Sequence, residues 1–90
     1  MQTITLADDV LGVVKSSIHL KKRVLQSNYA DYKGQLKTFE SKYGMSTKQF
    51  LNKYNLGQLG DAQKWFDWLF AYEAFSEISR ELLLLHKVRL

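Results

Sequence analysis

The sequence predicts an all-α protein: one helical domain over residues 1–90, with a long N-terminal helix or closely joined helix pair, a short middle helix and a long C-terminal helix. Three observations predict it. The chain contains no proline, so nothing in it forces a helix to break. Apolar residues recur in steps of three, four and seven from Leu11 to Tyr43, the spacing that keeps one stripe on one side of a helix. Glycines and a capping serine then cluster between Tyr43 and Asp61, where inter-helix turns belong.

At the start, Thr3-Ile4-Thr5-Leu6 alternates polar and β-branched or apolar residues, which fits a short strand as well as a helix lead-in. A groove-reading strand would turn Thr3 and Thr5 outward, and neither pairs with base edges as arginine, lysine or asparagine would. The lead-in is the favoured reading. Asp8 or Asp9 is placed to open the first helix, since a carboxylate there accepts free backbone N–H groups and complements the helix dipole. The stripe then runs Leu11, Val14, Ile18, Leu25, Tyr29, Tyr32, Leu36, Phe39, Tyr43. It weakens at Lys21 and Lys22, where a bend or a break into two helices would fall. Gly12 and Gly34 each weaken the helix by up to about 1 kcal/mol relative to alanine.

Gly44 follows the last apolar position and is expected to end the helix in the left-handed conformation. Ser46 with Gln49 three residues later reads as a capping box. A short helix from about Thr47 to Tyr54 should bury Phe50, Leu51 and Tyr54. Asn55-Leu56-Gly57 ends it, and Gly60-Asp61 gives a turn and an N-cap. The third helix, about Ala62 to His86, is apolar nearly all round in its first half, through Trp65, Phe66, Trp68, Leu69, Phe70, Tyr72 and Phe75. Both sides of it should therefore be covered.

Composition bounds the class of work. Apolar content of 46% with 13% aromatics is too rich for a disordered chain of this charge. There is no cysteine, hence no disulfide framework and no thiolate chemistry. No apolar run approaches the roughly 18 residues of a membrane span. The opening residues place acids where a secretory signal would carry positive charge, and a cytoplasmic location is expected. The net charge of +4 is uneven: Lys15, Lys21, Lys22 and Arg23, with His19, fall in a stretch from Val10 to Ala30 that has no acid. Such a cluster can meet nucleic-acid phosphates or an acidic partner surface, or serve as a solvated helix face.

Catalytic candidates are thin. His19 and His86 are remote in sequence and neither has a carboxylate at metal-ligand spacing; there is no phosphate-binding glycine loop and no nucleophile with a base. The expectation is a protein with no enzyme activity and no cofactor or metal. Asp67, Glu73, Glu77 and Glu81 read as an ion-pairing outer face of the third helix, with Glu77 and Arg80 an ordinary surface pair. Two tryptophans, five phenylalanines and five tyrosines exceed what so short a chain can hide. Surface for another chain is therefore expected, and Leu11, Val14, Ile18, Leu25, Tyr29, Tyr32, Trp65 and Trp68 are the candidate interface residues.

The middle of the chain adds a resemblance. L-x-x-F-E-x-K-Y-G-M-S-x-x-x-F from Leu36 to Phe50, then G-x-L-G-D from Gly57 to Asp61, then W-x-x-x-x-E at Trp68 and Glu73, resembles short prokaryotic antitoxins of type II toxin–antitoxin modules. It covers about half the chain, mainly Leu36 to Leu83. After Gly60-Asp61, where that family usually carries acids, this chain has Gln63 and Lys64. The resemblance implies a helical protein that sequesters a cognate toxin-like partner, an RNA-cleaving one among the candidates, and that in some members binds operator DNA. The residues by themselves leave two alternatives: a basic homodimer that binds nucleic acid, and a helical protein that pairs with its own copy.

Overall fold

The structure is a computed structural model that describes the backbone of residues 2–88 and the side chains of residues 8–88. Three helices follow in order: α1 (Gln2–Tyr43), α2 (Thr47–Asn55) and α3 (Gln63–His86). There is no break at Lys21–Lys22, so the N-terminal element is one helix and not a pair. Thr3-Ile4-Thr5-Leu6 is helical, which corrects the strand alternative: with no second strand beside it, an isolated strand would leave its backbone groups unpaired, whereas a helix pairs them internally. Asp8 and Asp9 accordingly lie inside α1 and do not cap it.

The turn region follows its chemistry. Gly44 takes φ +67° and Gly57 φ +72°, each just past a helix end, where a side chain would collide with the following carbonyl. The capping box forms in both directions: Gln49 N–H donates to Ser46 Oγ at 3.1 Å, and Ser46 N–H donates to Gln49 Oε1 at 2.9 Å. At α3 the N-cap is Ala62, with no side-chain hydrogen bond, so Asp61 does not cap the helix as its position suggested.

Forty-two residues at about 1.5 Å each make α1 roughly 63 Å long, which matches the 66 × 21 × 20 Å dimensions of the molecule. With its 24 residues, α3 covers little more than half of that length. It packs antiparallel to α1: Trp65 at its start meets Tyr43, and Leu85 and His86 at its end border Lys15 and Ile18. The N-terminal part of α1 projects beyond it.

The core is centred where all three helices meet, on Leu36, Phe50, Trp68 and Ala71. Trp68 is fully buried between two rings: Phe50 at 4.2 Å and 4° on one side, Phe39 at 5.5 Å and 8° on the other. Each such aromatic pair is worth about 0.5–1.5 kcal/mol beyond the area it buries. Leu25 and Ile78 extend the seam toward the far end. The expectation that both sides of α3's first half are covered is not met. Phe66 and Phe70 remain 41% and 63% exposed, because α1 and α2 pack against only one side of that helix.

Candidate functional site

A helix turns by about 100° per residue, and this separates the four clustered cations. Lys15 and Lys22, seven apart, share one side of α1, while Lys21 and Arg23 fall roughly 100° to either side of them. Only Lys15 and Lys22 border the α1–α3 groove. Their companions come from farther along the chain. Lys33 and Lys37 continue the same edge of α1, and Lys48 of α2 closes its end. The sequence did hold a signal for this, the 15–22–33–37 spacing, but acids interspersed beyond Asp31 concealed it. The two histidines, remote in sequence, both border the groove at the end of α3. Among the described residues no group of three or more histidines, cysteines or carboxylates stands close enough to hold a metal ion.

Of the eight candidate interface residues, the structure leaves two open, Leu11 and Val14 at 41% and 39% exposure. Leu25 and Trp68 are buried in the core. Ile18, Tyr29, Tyr32 and Trp65 are half-buried against α3 or its neighbours. Tyr29 packs on Phe75 at 4.7 Å, and Lys64 lies over the Trp65 ring at 4.7 Å. The α1 stripe is thus mainly the intramolecular seam, with Leu11 and Val14 open beyond it. Periodicity marks a face that is covered, without marking by which helix.

The apolar side chains that do stay open lie elsewhere. On α1, Val13, Leu20 and Val24 are 49–66% exposed and lie within about 40° of one another, on a side turned away from Ile18 and Leu25. On α3, Phe66, Phe70, Glu73, Glu77, Glu81 and Leu84 follow in steps of four, three, four, four and three. They form one outward stripe, directed away from Trp68, Ala71 and Ile78. Its carboxylates are three, and one of them is engaged: Arg80 Nε donates to Glu77 Oε2 at 3.1 Å, and a second guanidinium N–H donates to Oε1. The hydrogen bond from Arg80 and its charge hold the Glu77 carboxyl below the ordinary glutamate range, and Glu77 in turn raises Arg80. Glu73 and Glu81 have no cation within salt-bridge distance among the described residues.

Two surfaces of opposite character result: an acidic, aromatic stripe on the outside of α3, and a lysine edge along the α1–α3 groove. No helix among the described residues is long and apolar enough to cross a membrane. No protein-family model matches the chain, and no curated protein or solved structure matches it significantly.

Proposed function

We propose that this protein is a non-enzymatic, antitoxin-like binding protein whose α3 covers the basic surface of an RNA-cleaving partner. The observation that carries the reading is the exposure of Phe66 and Phe70 at 41% and 63% on the stripe that holds Glu73, Glu77 and Glu81. A surface that binds RNA phosphates is rich in lysine and arginine. Carboxylates at helical spacing complement such a surface and speed encounter, while the two rings supply apolar area for the contact centre. Burying one phenylalanine from water contributes about 1.5–3 kcal/mol, so the pair gives an interface an anchor. The motif from Leu36 to Glu73, which resembles antitoxins, is independent support from the sequence.

The test is co-expression with the product of the adjacent gene. Co-purification of the two proteins and rescue of growth are expected, and both should disappear in a Phe66→Ser, Phe70→Ser variant that keeps its helical content. A neighbour that is harmless alone and does not co-purify would sink the reading.

A second reading, self-association, is favoured by a separate observation: Val13, Leu20 and Val24 form an uncovered apolar stripe on α1. Paired antiparallel, two copies would set Val13 against Val24 of the other copy. Sedimentation of a folded monomer at a concentration of about 100 μM would remove it.

A further inference from the structure

The outer stripe of α3 carries three acids, one of them paired with Arg80. The lysines form a second feature. Lys15, Lys22, Lys33 and Lys37 lie within about 60° of α1's circumference and span roughly 33 Å along it, and Lys48 of α2 stands at the end of the row. Among the described residues the one carboxylate lining this groove is Glu40, whose Oε2 already accepts the Thr47 N–H at 2.8 Å. The floor beneath the lysines is apolar, built by Ile18, Leu36, Phe75 and Leu82. The opposite rim comes from α3 and, among the described residues, carries no lysine or acid; Leu83 stands on it, 59% exposed.

From this arrangement we infer that the α1–α3 groove receives an acidic amphipathic helix of a partner protein. Its apolar stripe lies on the floor and against Leu83, and its carboxylates lie along one flank, toward the lysines. A straight groove between two helices is the shape that takes a third helix, and about twenty residues would fill its length. The charge arrangement selects an acidic occupant, and the one-sided row of lysines selects acids on one flank only. A nucleic-acid strand would pair with the lysines and could stack a base on Phe75, but it would leave the aliphatic Ile18, Leu36, Leu82 and Leu83 without a partner. The inference concerns the groove and stands independently of what the outer stripe of α3 binds.

The experiment uses the full chain and a fluorescein-labelled synthetic peptide of about twenty residues, with leucines in one helical stripe and glutamates along one flank. A scrambled peptide of the same composition and a DNA duplex of similar length serve as competitors. Saturable binding is expected, about tenfold tighter than for the scrambled peptide and weakened by salt. A Lys33→Glu, Lys37→Glu variant should lose about tenfold or more in affinity, since both lysines are exposed and their reversal leaves the core intact. If that variant is not helical by circular dichroism, the Lys33→Gln, Lys37→Gln pair replaces it, with a smaller loss expected. Phe66→Ser with Phe70→Ser should leave peptide affinity unchanged, so failure here is separable from failure on the α3 stripe. Equal affinity for the scrambled peptide overturns the inference. So does tighter binding of the duplex, which would reassign the groove to nucleic acid. Self-association that the lysine reversals abolish would reassign it to a second copy.

Discussion

Trp68 of α3 donates its indole N–H to the hydroxyl of Thr47, the first residue of α2, over 3.1 Å. The backbone N–H of that same Thr47 donates to Glu40 Oε2 of α1 at 2.8 Å, so one residue joins all three helices. Both bonds are partly buried, and the Phe39 and Phe50 rings clamp the indole that makes one of them.

Removal of the hydroxyl should therefore be felt across the fold. Thr47→Val keeps the shape but leaves the indole N–H without its partner, at an expected cost of about 1–3 kcal/mol. Trp68→Ala should cost about 3–5 kcal/mol through the cavity it opens. Urea denaturation with unchanged slope would measure both. A Thr47→Val protein as stable as the parent would show that the bond contributes nothing net.

The turn after α1 should be equally sensitive. Gly44 has open space around its Cα, so the penalty for alanine there comes from φ +67° alone, about 1–2 kcal/mol. Ser46→Ala should cost about 1 kcal/mol by freeing the Gln49 N–H. Gly12→Ala, inside α1 and uncrowded, should instead stabilise by up to about 1 kcal/mol. Thermal melts of the three variants should order them Gly12→Ala, parent, then the two turn variants.

On the outer stripe of α3, Phe66→Ser and Phe70→Ser should change binding and not folding. Phe70 is 63% and Phe66 41% exposed, and each touches one tyrosine edge-on, Tyr32 and Tyr54, so their loss should move the unfolding free energy by only about 1–2 kcal/mol. Titration calorimetry against the co-expressed partner should show affinity reduced by a factor of ten or more. Loss of stability in step with loss of binding would return these rings to the core.

The Glu77–Arg80 pair carries a pH signature. The folded-state value of Glu77 lies below its unfolded one, so folding favours the charged carboxylate. What the pair contributes is present above the unfolded value and is lost as pH falls through the lower folded value. Both side chains are more than half exposed, so the pair's stability effect is small; the titration is the readout. A carbon-detected NMR titration should place the Glu77 midpoint below the ordinary glutamate range, and Arg80→Gln should raise it toward that range.

Much of the architecture followed from local chemistry. Gly44 and Gly57 act through their own backbone and the Ser46–Gln49 box through side chains three residues apart, which is why the turn region could be read from the residues alone. Local reasoning failed where two answers were locally equivalent. Asp8, Asp9 and Asp61 each have good capping chemistry, yet Asp8 and Asp9 lie inside α1 and the cap of α3 is Ala62. Lys15, Lys21, Lys22 and Arg23 look like one cluster in sequence, and helical rotation divides them.

By itself the sequence determined the long, short, long order of the helical segments and the turns between them, because spacing, capping and the absence of proline act within a few residues; it left open a break at Lys21–Lys22. Only the tertiary structure decided which apolar stripe is core and which is free. The α1 seam from Ile18 to Tyr43 and the clamped Trp68 went inside because α3 folds back along α1 and α2 seals its end. Phe66, Phe70, Leu20 and Val24 were left outside because two helices cover only one side of each other. The same packing brought Lys33, Lys37 and Lys48 into line with Lys15 and Lys22. Side-chain chemistry fixes what a residue can do; the neighbouring helix fixes whether a partner can reach it.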